Sequence, residues 1–199
     1  MQAMVCHEYG SPESLCYEQL PRPRPGPGEV LVEIHAIGVN FTDLLAIEGR
    51  SQLKRVLPMI PGVEAAGVVL EVGANVKGFH AGQRVLGCKA HGTYAEEVLF
   101  EALDLAVIPD AMDMHSAAAF YIAAFSARYA LQDRARLQAG ENLLVLGAGG
   151  GVGLAAIDIG KALGARVVAA ASSDQKLALA KAHGADALLR YAEIGRAHV

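Results

Sequence analysis

Cysteine is scarce in this chain of 199 residues. The three cysteines, Cys6, Cys16 and Cys88, are far apart and odd in number, a pattern that does not indicate a disulfide framework. The first ten residues lack the charged and apolar regions of a signal peptide. These absences exclude the small disulfide-stabilised secreted class, and we expect a soluble, cytoplasmic protein.

Long apolar runs and an excess of positive charge are also missing. The longest apolar run, residues 117–127, is too short to cross a bilayer. The net charge of −4 argues against electrostatic capture of nucleic acid or of an acidic membrane surface. We therefore expect neither a nucleic acid nor a membrane as a partner.

What remains is a globular composition, 53% hydrophobic and 19% charged, whose pattern changes near residue 113. Before that point, short β-rich runs alternate with glycine and proline turns. This pattern predicts a barrel-like β domain over 1–113, with strands at 29–39, 65–73, 82–87 and 93–100.

After residue 113 the elements become longer. Residues 114–135 have the length of a helix and no internal breaker. Strand and helix patterns then alternate, with strands at 142–147, 165–171 and 185–191 and helices at 152–164 and 173–184. The β-α-β-α-β order predicts an α/β fold, with half of a parallel dinucleotide-binding sheet over 114–193.

A glycine-rich loop, LGAGGGVG, joins the first of these strands to its helix, and it fits two registers. One is A-x-G-x-x-G through Ala148, Gly150 and Gly153, and the other is G-x-G-x-x-A through Gly151, Gly153 and Ala156. The first register fits better, because Ala148 follows the strand, Gly150 lies in the turn and Gly153 begins the helix where it packs on the sheet. The second would place its first glycine where the helix already begins.

The first register predicts a phosphate site at the N-terminus of this helix. A pyrophosphate would bind the N–H groups of Gly151 and Val152 at the positive end of the helix dipole, and Gly149 belongs to the turn. Such a loop can also be no more than a tight strand-to-helix turn. The surrounding β-α-β-α-β pattern favours the phosphate site.

The end of the second predicted strand bears on the cofactor. NAD-binding proteins usually carry an acidic residue there, whereas this strand ends in three alanines followed by Ser172 and Ser173. Their hydroxyls and the Lys176 ammonium can hold a 2′-phosphate, so the sequence favours NADPH. Asp174 is counter-evidence, although it is typical of a first helical turn, and the serines can also simply cap the helix.

Four segments fall in the order and spacing of a known family: GVNFTDLL (38–45), PGVEAAGVV (61–69), GENLLVLGAGGGVGLAAIDIGKALGA (140–165) and KLALAKAHGA (176–185). On these residues the chain resembles the medium-chain dehydrogenase/reductases, specifically the zinc-independent quinone oxidoreductases, the branch that includes zeta-crystallin. The resemblance covers residues 1–193. It implies a GroES-like β-barrel catalytic domain followed by a Rossmann dinucleotide-binding domain.

The resemblance implies no metal. Zinc-dependent relatives carry a cysteine where this chain has Asn40 and a histidine where it has Val63, and neither residue can replace those ligands. Cys88 and His91 form a C-x-x-H pair, but no second pair lies near it in the sequence. We expect Glu64 to persist as a structural relic.

Without zinc, hydrogen-bond donors must polarise the substrate carbonyl. The resemblance assigns Asn40 and Asp43 to the cleft for substrate and nicotinamide, while the alternative is that NFTD simply caps a helix beginning near Leu44. It also places Ser126 near the nicotinamide and Tyr191 beside the adenosine phosphate. Tyr191 equally fits an ordinary strand end.

The leading hypothesis is an NADPH-dependent oxidoreductase that transfers hydride to a quinone, an enone or another conjugated carbonyl without zinc. The alternatives are an enoyl reductase acting on an acyl thioester and an NADPH-binding protein of the zeta-crystallin type without turnover. Ser51 favours the last, because the family commonly has a tyrosine there, and a serine hydroxyl is shorter and much less acidic.

The extent of the chain raises a further expectation. A two-half nucleotide fold needs about six strands, and the pattern predicts three, so we expect a C-terminally truncated chain that is inactive as it stands. Residues 194–199, IGRAHV, show no strand or helix pattern and coincide with one reading frame of a common sequencing adapter. We expect them to be a non-native tail, and the resemblance implies that the parent protein is a homodimer.

Overall fold

The computed structural model describes residues 1–191 and divides the chain into two compact units, residues 1–121 and the residues from 122 onward. The expected non-native tail, 194–199, lies outside the described residues. Across the described part, no helix is long and apolar enough to cross a membrane.

An antiparallel sheet forms the core of the first unit. Its strands are β3 (Glu29–Gly38), β4 (Glu64–Val72), β5 (Arg84–Cys88), β6 (Glu97–Glu101) and β7 (Leu105–Val107), in the order β6-β3-β4-β5-β7. Three of the predicted strands agree with β3, β4 and β5 to within two residues, whereas the fourth begins at Glu97 and not at 93. Burial of alternate apolar side chains holds the sheet together, chiefly Val30, Val32, Ala65, Val69, Val85, Val98 and Phe100.

The first unit also contains two short strands and one helix that position candidate site residues. The strands β1 (Gln2–Val5) and β2 (Cys16–Gln19), which the sequence patterns did not predict, pair antiparallel from Gln2–Gln19 to Val5–Cys16. Helix α1 (Phe41–Ile47) follows β3 after two residues.

The prediction of one helix over 114–135 is wrong. The segment forms α2 (Met114–Ala118), α3 (Tyr121–Arg128) and a π-helical stretch, Tyr129–Arg134. Helix α2 buries Ala117 and Ala118 in the first unit, so that unit extends beyond the boundary expected at 113, while most of α3 belongs to the second. Tertiary packing has overridden a continuous helical propensity here.

The second unit contains the predicted β-α-β-α-β succession. Its parallel strands are β8 (Asn142–Leu146), β9 (Arg166–Ala171) and β10 (Ala187–Arg190), in the order β10-β9-β8, with α4 (Gly151–Ala162) and α5 (Asp174–Ala182) as the crossovers. This arrangement confirms the α/β fold class and the half-sheet. It brings the glycine loop after β8 and the end of β9 to the same edge, because neighbouring parallel strands end together.

Candidate functional site

The glycine loop has the geometry of the first register. Ala148 is buried, Gly150 is the N-cap of α4, and a Cβ at Gly153 would lie 2.4 Å from the carbonyl oxygen of Gly147. The absent side chain at Gly153 therefore lets the first turn of α4 approach the end of β8. This close approach is the task that the A-x-G-x-x-G pattern assigns to its last glycine.

The surface of this loop is open to an anion. Gly150, Gly151 and Val152 are exposed, and a Cβ at Gly150 would have only the carbonyl oxygen of Gly147 nearby, at 3.6 Å. The first N–H groups of a helix have no intrahelical acceptor, and they carry the positive end of its dipole. The residues present therefore fit a pyrophosphate.

Lys176 connects the glycine loop to the end of β9. A Cβ at Gly149 would lie 2.5 Å from the Cβ of Lys176, so the lysine side chain runs directly over this glycine. Lys176 is exposed in the first turn of α5, and its N–H donates to Ser173 Oγ at 3.4 Å. Ser173 thus caps α5, as the alternative reading expected, while Ser172 remains exposed beside it.

The same edge holds a cation that the sequence patterns did not reveal. Arg190 ends β10, pairs in register with Ala171, and places its Nη1 3.3 Å from Asp174 Oδ2. Asp174, the acidic group that counted against NADPH, therefore has a basic partner in the structure. Sequence spacing could not show this pair, because it depends on the register of β10 against β9.

Tyr191 and Ser126 lie at the margins of the loop. The Tyr191 hydroxyl accepts a hydrogen bond from the N–H of Gly147, so this side chain contacts the loop after β8. Ser126 is exposed on α3 and shares a helix face with Ala123, three residues earlier. A Cβ at Gly151 would lie 3.7 Å from the Cβ of Ala123, so this face lies against the start of α4.

A polar network surrounds Asn40 in the first unit. Asn40 is the N-cap of α1, which begins at Phe41 and not near Leu44 as expected. Its backbone N–H donates to Asp43 Oδ2 at 2.8 Å, and its side-chain Nδ2 donates to Glu64 Oε1 at 2.9 Å. The backbone of Asn40 therefore serves the helix end, while its side-chain amide is held by Glu64.

Glu64 is buried and accepts the hydrogen bond from the Asn40 side chain. It begins β4, pairs with Gly38 of β3, and is 2% exposed. A Cβ at Gly38 would lie 2.5 Å from Glu64 Oε1, so the glycine makes room for the carboxylate. The carboxylate orients the amide of Asn40, which follows β3 by two residues.

Asp43 lies buried beside Asn40. The resemblance assigns it to the cleft for substrate and nicotinamide. In the structure it is 1% exposed, and its Oδ2 accepts from Asn40 N–H and, at 3.1 Å, from the Tyr94 hydroxyl. Burial raises its pKa, although both hydrogen bonds oppose that rise. Burial and the neighbouring Asp43 also raise the pKa of Tyr94. Asp43 is therefore bonded to the backbone of Asn40 and to the Tyr94 hydroxyl.

A glycine lets Tyr94 reach this network. Gly62 has φ of +91°, a left-handed conformation that favours glycine, and a Cβ there would lie 2.2 Å from a ring carbon of Tyr94. The 61–63 turn and the Thr93–Tyr94 segment can therefore lie in contact. Neither Gly62 nor Tyr94 stood out as part of a site in the sequence patterns.

Comparisons with known proteins agree with both halves of the fold. The family model described as "Alcohol dehydrogenase GroES-like domain" matches residues 26–110, and the one described as "Zinc-binding dehydrogenase" matches residues 151–198. Quinone oxidoreductase-like protein 2 of Rattus norvegicus is 40% identical over 193 residues, which cover 96% of this chain and 55% of the rat protein. The chain thus spans about half the length of the curated relatives it matches.

Solved structures extend this likeness. The quinone oxidoreductase of Escherichia coli complexed with NADPH has a TM-score of 0.90 at 34% identity, covering 97% of this chain and 59% of that one. The chain belongs to the medium-chain dehydrogenase/reductase superfamily. Within this superfamily its relatives place it in the quinone oxidoreductase branch. An NAD-dependent alcohol dehydrogenase is also similar, with a TM-score of 0.92 at 35% identity and coverage of 98% and 64%.

The description of the second family model mentions zinc, but the residues present around Asn40 do not fit a zinc ion. The position around Asn40 offers an amide, the alkyl side chain of Val63 and the carboxylate of Glu64, which already accepts from Asn40. This donor set does not fit a catalytic zinc of the medium-chain dehydrogenase/reductases, which needs three protein ligands of the Cys, His or carboxylate type. These residues therefore do not form a catalytic zinc site of that type.

Proposed function

We propose that this chain forms part of an NADPH-dependent oxidoreductase that transfers hydride to a quinone or another conjugated carbonyl without zinc. The observation that carries the proposal is the end of β9. In place of an acid that would bind a ribose 2′-OH, the chain has Ser172 and Ser173, with Lys176 and Arg190 beside them. A 2′-phosphate, with its negative charge, suits this combination of hydroxyls and cations. The NADPH complex of the Escherichia coli relative supports the same cofactor.

Asn40 would polarise the substrate carbonyl. A side-chain amide carries two N–H donors, and the bond from Nδ2 to Glu64 Oε1 uses one of them. The other can donate to the carbonyl oxygen, on which negative charge develops as hydride arrives. Such a preorganised donor stabilises the transition state by about 3 kcal/mol. Glu64 and Asp43 hold the donor in place from the side chain and the backbone respectively.

Bound NADPH supplies the hydride, and the proton that completes the reduction needs a separate source. The Tyr94 hydroxyl already donates to Asp43 and has a raised pKa, which makes it a poor acid. Ser51 is a weaker acid than the tyrosine common in the branch. We therefore assign the final protonation of the reduced substrate to solvent water.

A non-catalytic NADPH-binding protein is the second candidate, and Ser51 is the observation that favours it. In the structure Ser51 N–H donates to the carbonyl of Leu45 at 3.0 Å, just after α1, and no phenol stands at this position. Such a protein would bind NADPH through the same β9 end. It would not oxidise the cofactor with any acceptor.

The test uses the protein from the complete gene and measures oxidation of NADPH and NADH with quinones, enones and enoyl thioesters. We expect turnover with a quinone or an enone and at least a tenfold preference for NADPH. Arg190→Gln should raise the Kd of adenosine 2′,5′-bisphosphate by about tenfold, because the variant loses one hydrogen bond to a charged group. The Kd of 5′-AMP should stay unchanged. Arg166→Gln, at the opposite end of β9, is the matched control and should change neither constant.

Three outcomes would count against the proposal. Equal rates with NADPH and NADH would remove the argument from the end of β9. NADPH binding without turnover on any acceptor would support the non-catalytic alternative. Turnover restricted to enoyl thioesters would indicate an enoyl reductase.

A further inference from the structure

Three side chains of the first unit bring metal-binding atoms together away from the Asn40 network. They are His7, Cys16 and Glu18, whose ligand atoms all lie within 4.8 Å of one another. His7 Nε2 lies 2.5 Å from Glu18 Oε1. Within residues 1–191, no other group of three or more His, Cys, Asp or Glu side chains converges in this way.

The β1–β2 ribbon explains why these residues meet. Cys16 and Glu18 are two positions apart in β2, so their side chains leave the same face of the strand. The antiparallel register pairs Val5 with Cys16, and His7 follows β1 by two residues. The end of β1 therefore delivers an imidazole to the face from which the thiol and the carboxylate project.

We propose that His7, Cys16 and Glu18 bind one zinc ion. Thiolate, imidazole and carboxylate are the three ligand types of protein zinc sites, with metal–ligand distances of about 2.0–2.3 Å. Tetrahedral ligands at those distances lie roughly 3.3–3.8 Å apart. Movements of about 1 Å by partly exposed side chains are thus sufficient to bring the three groups around the ion, and water takes the fourth position. Binding displaces the thiol proton of Cys16 to solvent.

Cys16 is the exposed thiol of the chain, because Cys6 is buried and Cys88 is partly buried. Cys6 is buried and 0% exposed. Burial, with smaller contributions from Glu64 and Asp104, raises the pKa of Cys88 to about 11. A thiol is attacked by alkylating reagents as its thiolate, so Cys16 should be the principal site of labelling in the native chain.

The test titrates the metal-free 199-residue chain with Co²⁺, a spectroscopic substitute for zinc, and then displaces it with Zn²⁺. We expect one Co²⁺ per chain, with thiolate-to-cobalt charge-transfer absorption and the intense visible bands of tetrahedral coordination. One equivalent of Zn²⁺ should remove these bands and slow alkylation of Cys16 by iodoacetamide at least tenfold. Mass spectrometry of the labelled peptides measures that rate at each cysteine.

Variants assign the ligands. Cys16→Ser should abolish the charge-transfer band, and His7→Gln and Glu18→Gln should each weaken binding at least tenfold, with circular dichroism checking that each variant folds. The double variant Cys88→Ser/His91→Gln removes the C-x-x-H pair at 88–91 and should bind as the wild type does. The absence of stoichiometric binding would overturn the proposal. So would a charge-transfer band that survives Cys16→Ser or is lost in the double variant.

Discussion

Asn40 uses its backbone and its side chain for different tasks. Its N–H donates to Asp43 at the start of α1, while its Nδ2 donates to Glu64. The two readings of NFTD, helix cap and substrate donor, are therefore compatible, because they involve different atoms. The helix cap is observed, and the substrate donor, which the resemblance implied, remains a proposal.

Replacing Asn40 tests the side-chain task separately. We expect Asn40→Ala, in the protein from the complete gene, to lower kcat with a quinone by about 10²-fold, the effect of losing one preorganised donor. The KM for NADPH should stay unchanged, because the cofactor's phosphates bind elsewhere. Asn142→Ala, a matched change at the start of β8, should leave both constants unchanged. An equal loss of kcat in the two variants would contradict the assignment.

The strand–loop–helix element β8–α4 assigns each glycine a different task. Gly153 is buried, and a Cβ there would lie 2.4 Å from the carbonyl oxygen of Gly147, whereas Gly150 is exposed and a Cβ there would lie 3.6 Å from that oxygen. Gly153 therefore serves packing, while Gly150 leaves open the surface that the proposed phosphate site needs. The A-x-G-x-x-G spacing predicted this division, since each position follows from the local geometry of strand, turn and helix.

Paired substitutions separate the two tasks. Gly153→Ala should destabilise the second unit by about 1–3 kcal/mol, the usual cost of overpacking, measured by the free energy of unfolding in urea. Gly150→Ala should change that free energy by less than about 1 kcal/mol, yet weaken NADPH binding, because its methyl group occupies the approach to the N–H groups of α4. The prediction is wrong if Gly150→Ala binds NADPH as the wild type does.

At the scale of the whole molecule, Asp43 links the stability of the first unit to pH. Burial raises its pKa in the folded chain, so the folded state holds the proton more tightly than the unfolded state. This contribution to stability is complete below the unfolded pKa, about 3.9. It is lost as pH rises through the folded pKa.

Asp43→Asn makes that contribution measurable. The variant has no proton to lose, so the melting temperature of the wild type relative to the variant should fall between about pH 4 and neutral pH. Differential scanning calorimetry over this range measures the difference and can resolve separate transitions of the two units. A difference that is constant with pH, or that rises with it, would show that Asp43 is not held with a raised pKa.

Local pattern was sufficient for much of the fold. The alternation of strands and helices predicted β8, α4, β9, α5 and β10, because periodicity and helix ends are encoded in neighbouring residues. It failed at 114–135, where packing against two different units divides one apolar run into α2 and α3. It also missed β1 and β2, which are only four residues each.

The sequence by itself determined the α/β class, the glycine loop with its register, and the missing ligands for a catalytic zinc at Asn40 and Val63. Only the tertiary structure decided which side chains meet: Asn40 with Glu64, Arg190 with Asp174, and His7 with Cys16 and Glu18. The physical reason is sequence separation. A motif records residues that neighbour one another along the chain, whereas strand register and loop packing bring together residues between 9 and 24 positions apart.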